Sequence, residues 1–456
     1  MKSQAWIRFL PNPIKNKLNN KQGLQKILGN AGWLLVESAL RMSINLLVGI
    51  WLARYLGPSN FGTYNYVLSL ISLFGPISAL GLNGIVTRDI VRNPQEDKEI
   101  LGSAFILRLV ASCISLVLVV GSYWLLRPED ELIKVLILIL SVGNLFSAFQ
   151  VIDFWFQSKV LSKYVVLSRT ATLLIGTVAK IFLIATKAPL VTFIIVSATE
   201  IILLGINLVI AYRIRGGKIM EWRLNFSCAQ TLLSQSWPLI ISGFGAVINL
   251  KIDQVMLGEL STTATVGIYA VAVRLSEVWY FIPEAIASSI FPSLLKSKEQ
   301  GTKIYKSRQQ QLYDLLACGA MVIVIPTTLI ATPLLTSLYG EAYRESGLIL
   351  SIHIWASIFI FMRSALSKWL IAEDLFIFSF VTHGLGAIVN IILNLFLIPS
   401  YGGIGAAIAT VMSYATSSYL ALFVHKKTLN SGYMMTLALI TPIRLLLKKT
   451  KIDNQK

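Results

Sequence analysis

Of 456 residues, 55% are hydrophobic and 14% charged, and the mean hydropathy is +0.69, which excludes an ordinary water-soluble domain. The net charge of +18 is spread over alternate polar loops instead of one soluble face, so it reads as a topology signal and no nucleic-acid partner is expected. Cys113, Cys228 and Cys318 are isolated in or beside apolar runs, with the spacing of neither a disulfide framework nor a metal site, and no cofactor is expected.

A bilayer core of roughly 30 Å takes about 20 apolar residues per helix. Twelve runs qualify, near 31–53, 62–87, 100–126, 132–157, 164–186, 189–212, 234–258, 265–292, 311–337, 346–371, 375–399 and 403–424. Before them, residues 1–30 form a basic tail in which 14–28 interleave lysines with Ile14, Leu18, Leu24, Ile27 and Leu28, as suits a helix on an anionic inner leaflet. The first span carries Glu37 and Arg41 and lacks a small-x-small cleavage site, so it is expected to be retained and not cleaved as a signal peptide. The N-terminal tail, the even-numbered loops and the C-terminal tail hold 27 Lys and Arg against four in the odd-numbered loops, which predicts cytoplasmic termini. Residues 432–443 are short for a span and are expected at the membrane interface, within a basic cytoplasmic tail of residues 428–456.

The chain is duplicated. In 46–70, LLVGIWLARYLGPSNFGTYNYVLSL, Leu56-Gly57 answers to Leu257-Gly258, and Gly62-Thr63-Tyr64 answers to Gly267-Ile268-Tyr269. At an offset of 214, Trp155-Phe156-Gln157 aligns with Trp369-Leu370-Ile371, and Lys180 through Ile184 with Asn394 through Ile398. The expected fold is an all-α integral membrane protein of about twelve transmembrane helices, in two six-helix bundles enclosing a central cavity: residues 31–212 and 234–427, joined by a cytoplasmic linker at 213–233. Six is even, so both halves enter from one side and the repeat is parallel.

Charges within the spans carry the chemistry, because each costs roughly 2.5 to 3.5 kcal/mol at the bilayer centre unless it finds a partner or water. Glu37 and Arg41 stand at i, i+4 and Arg274 and Glu277 at i, i+3, so each pair is expected on its own helix. Arg108 and Arg363 have no acid within a turn, and Lys180 has only Glu200, on the next helix and at a different expected depth. Lys251 and Asp253 point to different sides; Asp253 shares a face with Asn249 and is placed to position an arginine of span eight or to bind a coupling cation. The modest surplus of base predicts a watered cavity that receives an anion, with Arg41, Arg108, Lys180, Lys251, Arg274 and Arg363 on the substrate, and Glu37, Glu200, Asp253 and Glu277 in coupling or ion pairing. His353 is expected to make a polar packing contact, and Asn390 and Asn394 interhelical hydrogen bonds or cavity lining. No G-x-x-x-x-G-K-[ST] occurs, so an ATP motor is not expected in this chain.

The run LARYLGPSNFGTYNYVLSL, with IDQVMLG and VGIYAVAVRLSE in spans seven and eight, resembles the polysaccharide transporter family, the O-antigen and capsule-repeat flippases of the multidrug/oligosaccharidyl-lipid/polysaccharide exporter superfamily. The resemblance covers about residues 28–427. It implies a transporter and not an enzyme, moving polyprenyl-diphosphate-linked oligosaccharide across a bacterial or archaeal cytoplasmic membrane by alternating access. It also implies membrane lipids, a polysaccharide polymerase and glycosyltransferases as partners. Two alternatives remain at this point: a multidrug-cation antiporter using Glu37 or Glu200, and a membrane polymerase or ligase, which would need a larger external loop than any here.

Overall fold

The computed structural model describes residues 22–127, 129–441 and 444. Most of the basic N-terminal tail and residues 445–456 therefore lie outside the described residues. Among those described, the secondary structure is helical throughout. A chain crossing hydrocarbon must satisfy every backbone polar group within the segment, and helices do so.

Among the described residues, ten helices are long and apolar enough to cross a membrane. One of these, Gly32–Leu73, has 42 residues and would reach about 63 Å if straight, twice the bilayer core. The sequence breaks it: helix α1 (Gln22–Leu73) is interrupted at Gly57, with φ 68° and ψ 171°, immediately before Pro58. Proline supplies no backbone donor and forces its predecessor out of the helical region, and glycine accepts the left-handed φ. A second long helix, Phe376–Ser418, is interrupted at another glycine, Gly402, with φ 51° and ψ −129°, three residues after Pro399. Cutting both at their glycines gives the twelve predicted segments. Large apolar side chains such as Leu125, Val178, Leu329 and Ile377 are exposed on these helices, as hydrocarbon permits and water does not. Beyond them, the 11-residue helix Leu429–Leu439 reaches only about 16 Å, too short for a further span.

Packing divides the chain into two compact units, one from Met1–Leu52 with Phe74–Phe244 and the other from Ala53–Leu73 with Gly245–Lys456. These are not the halves 31–212 and 234–427. Long helices cause the difference, because α1 and the helix Phe226–Leu260 each run from one unit into the other. The expected linker, 213–233, makes contacts of its own. Arg223 N donates to Lys98 O at 3.3 Å, and a Cβ on Gly102 would lie 2.4 Å from Arg223 O, so this stretch is seated on the first unit.

In the first unit, Leu82, Val86, Ile90, Leu101, Ile152 and Phe156 form a dry core, with Trp155 edge-on to Tyr212 and its indole donating to Asp97 at 3.2 Å. In the second unit the two copies of the repeated motif meet. A Cβ on Gly62 would lie 1.6 Å from Thr263 O, and one on Gly267 would lie 2.1 Å from Pro58 O. The repeated glycine thus lets each copy approach the backbone of the other, and Ser59 and Thr263 hydroxyls add a 3.2 Å hydrogen bond.

Candidate functional site

In the first unit, Glu37 is buried and accepts from Arg41 Nε at 2.9 Å, the expected i, i+4 pair, while the Arg41 side chain remains 49% exposed. Lys180 and Glu200 pair across their expected offset in depth. Lys180 Nζ stands 2.8 Å from both carboxylate oxygens of Glu200. Gly176, one turn before Lys180, makes room, since a Cβ there would lie 1.8 Å from Glu200 Oε1. A long lysine stem and a glycine slot therefore overcome the offset that counting residues from the turn suggests.

Arg108 is buried, with its Nη2 3.4 Å from Gln150 Oε1 and its guanidinium 5.6 Å from the centre of the Phe154 ring. Its Nε is buried without a hydrogen-bond partner, and among the described residues no carboxylate lies in ion-pair contact with it. Asp153 is already engaged: Arg169 Nη2 approaches to 2.6 Å and Gln157 Nε2 to 3.0 Å. This interhelical Arg169–Asp153 pair is absent from the expected set, although both residues stand in apolar runs.

In the second unit, Asp253 is buried among neutral groups. Tyr269 donates to its Oδ2 at 2.8 Å, Asn394 Nδ2 to its Oδ1 at 2.6 Å, and the Thr410 hydroxyl also donates. It does not position an arginine of span eight. Asn390 Oδ1 accepts from Asn394 at 3.0 Å, while Asn394 Oδ1 is buried with no partner. An acceptor without a donor beside a carboxylate without a cation is a set of hard oxygens that fits a proton or a small cation. Asn249, one turn before Asp253, faces Ser413 at 3.4 Å, confirming their shared face.

The expected Arg274–Glu277 pair does not form. Both residues lie within the helix Thr263–Glu277, but Arg274 is turned over the Phe61 ring at 5.6 Å. Lys251 and Arg274 act on Glu277 through space, without direct contact. Arg363 is buried, and its guanidinium is directed wholly into the protein. Nη1 donates to Thr382 Oγ1 at 2.9 Å and Ser417 O at 2.8 Å, and Nη2 to Ser379 O at 3.2 Å and Ser379 Oγ at 3.1 Å. His353 makes the expected packing contact, Nδ1 to Ser276 Oγ at 3.0 Å.

Sequence reasoning missed Tyr269 and Thr410. For Tyr269 a signal exists: it stands as far after the turn near Ser261 as Asp253 stands before it, hence at the same depth.

Long apolar helices with charges inside them define a multi-pass membrane protein. The chain belongs to the polysaccharide biosynthesis protein family, whose model matches residues 27–298. It is 33% identical over 190 residues to "Probable flippase AglR" of Haloferax volcanii, covering 39% of this chain and 40% of that one. It is 25% identical over 215 residues to "Probable low-salt glycan biosynthesis flippase Agl15" of the same organism, covering 44% of each. The chain thus spans less than half the length of the curated relatives it matches. Among solved structures, the lipid II flippase MurJ in an inward closed conformation superposes with a TM-score of 0.70 at 15% identity, over 91% of this chain and 92% of that one. An inward-facing multidrug resistance MATE family transporter superposes with a TM-score of 0.66 at 14% identity, over 88% and 95%. At such identities the likeness concerns the fold.

Proposed function

We propose that the protein is a flippase that moves polyprenyl-diphosphate-linked oligosaccharide between membrane leaflets by alternating access, for O-antigen, capsule or exopolysaccharide synthesis. Polymerase and glycosyltransferases would act with it. The observation that carries this reading is a group of in-span cations, Arg108, Lys251 and Arg274, that make no ion pair among the described residues and, unlike Arg363, are not tied down by several hydrogen bonds, within a chain of the polysaccharide biosynthesis family. A diphosphate entering apolar helices needs such charge, and arginine presents a planar fork to its oxygens. Arg41 is half exposed and joins them; Lys180 is held by Glu200 and contributes only if that pair opens. A multidrug-cation antiporter is less well supported, because its two candidate acids, Glu37 and Glu200, are already neutralised by Arg41 and Lys180.

Asp253 is the favoured coupling residue. A buried carboxylate with only neutral donors holds its charge at a cost that a proton or a cation removes, so its occupancy can bias one conformation over another. Glu277 is the second candidate, making no ion pair among the described residues. The test of the function is transbilayer movement of a lipid-linked oligosaccharide in liposomes containing this protein alone, with an organic cation as the competing cargo.

The proposed setting is a bacterial or archaeal cytoplasmic membrane with both termini cytoplasmic. A cysteine introduced at Gly301, between the eighth and ninth segments, should resist an impermeant thiol reagent in intact cells and react after permeabilisation. Labelling of intact cells contradicts the orientation.

A further inference from the structure

We infer that the second unit carries a phosphate-binding pocket, distinct from the in-span residues above, at the start of the helix Thr302–Tyr339. A cavity of about 370 Å³ there is lined by three lysines, Lys298, Lys306 and Lys427, and by one acid, Glu373. The acid is already engaged. Lys298 Nζ stands 3.1 Å from Glu373 Oε1 and donates to Ala372 O at 2.7 Å, and Tyr305 donates to the same carboxylate oxygen at 2.9 Å. Among the described residues no ion pair joins Lys306 or Lys427, so two ammonium groups face a concave site without compensation.

The backbone adds to this charge. Thr302 opens a 38-residue helix whose N-cap, Gly301, has φ 117° and supplies no side-chain cap, and Lys306 stands one turn further on. The first N–H groups of a helix have no intrahelical acceptor and carry the positive end of its dipole, which suits an oxyanion. The Thr302 hydroxyl and the Asn430 amide bring neutral donors to the same cavity.

Basic loops on one face of a membrane protein are ordinarily a topology signal, but the repeat shows that this bias alone need not line a cavity with cations. The corresponding cavity of the first unit also lies between the loop after the second span of its half and the segment after the sixth. It measures about 280 Å³ and is lined by Asp89, Glu96, Glu99 and Asn225, with no lysine or arginine. In a parallel repeat both positions are under the same topological bias toward Lys and Arg. Both bordering loops are basic, with Arg88, Arg92 and Lys98 in the first unit, but only in the second do lysines line the cavity itself, and what two lysines without an acid in contact and an uncapped helix start suit there is a phosphate group. Tyr305 and Trp369 line the pocket where an apolar helix ends, the depth at which aromatic side chains sit among lipid headgroups. The phosphate therefore belongs either to an anionic lipid or to a free phosphate at the membrane surface.

The experiment measures binding to the purified full-length protein in detergent, with dioctanoyl phosphatidylglycerol, inorganic pyrophosphate and dioctanoyl phosphatidylcholine as separate probes. The parent should bind phosphatidylglycerol well above phosphatidylcholine. The double variant Lys306→Gln/Lys427→Gln should lose about 30-fold in affinity for it, as expected for two lysines near an anionic headgroup. Lys303→Gln, an exposed lysine of the helix's first turn outside the lining, should lose little, and Lys306→Arg/Lys427→Arg should keep most of the affinity. Binding of phosphatidylglycerol without pyrophosphate identifies a lipid headgroup, and comparable binding of pyrophosphate identifies a free phosphate. Equal binding of phosphatidylcholine, or an equal loss in Lys303→Gln and the double variant, overturns the pocket. Neither result bears on whether the protein moves lipid-linked oligosaccharide.

Discussion

Arg363→Ala should remove the folded protein before it alters any transport rate. Four hydrogen bonds tie this guanidinium to Ser379 and Thr382 near the beginning of the helix Phe376–Ser418 and to Ser417 at its end. Alanine would leave two carbonyls and two hydroxyls around a void, and losses of this kind run to about 3–5 kcal/mol. Arg363→Lys keeps the charge but cannot reach both ends of the fork, so an intermediate loss is expected. The yield of monodisperse protein and its melting midpoint in detergent measure the effect. If the alanine variant is obtained at parental yield and midpoint and only transport is lost, Arg363 acts on the substrate instead.

Asp253→Asn should have the opposite profile, with folding intact and coupling lost. The substitution is isosteric, Tyr269 and Thr410 can still donate to the remaining oxygen, and the amide of Asn394 can turn because its own Oδ1 has no partner. Removing a buried charge with only neutral donors should not reduce stability. A coupling site is worth about 5- to 150-fold between states, and in this variant the ratio of rates with and without an imposed proton or sodium gradient should fall to about one. Parental gradient dependence in Asp253→Asn would exclude it as the coupling residue, and Glu277→Gln is then the variant to measure.

Much of the fold is legible in the sequence because hydrocarbon imposes a length. The apolar runs give the segments, and Gly57-Pro58 marks a break that backbone chemistry requires. The division into units is not legible, since nothing local marks the point at which a continuous helix such as Phe226–Leu260 passes from one unit into the other. Site residues divide similarly. Glu37 with Arg41 follows from helix periodicity, whereas Arg274 has the same kind of spacing to Glu277 and is drawn instead over Phe61, a ring more than 200 residues away that spacing does not reveal. Lys180 with Glu200 depends on a glycine slot that spacing does not reveal. Asp253 is visible as a charge in an apolar run, and Tyr269 by its equal distance from the turn. Thr410 is one small hydroxyl 157 residues away that only tertiary packing brings to Asp253.

The decisive measurement is protection of a fluorescent polyprenyl-diphosphate oligosaccharide from an impermeant quencher in liposomes containing only this protein. The protein should exchange the lipid between leaflets well above protein-free liposomes, with a rate that an imposed ion gradient changes, and should leave an encapsulated organic cation in place. Exchange no faster than in protein-free liposomes, at confirmed insertion and folding, or gradient-driven release of the organic cation in its place, would contradict a flippase of lipid-linked oligosaccharide.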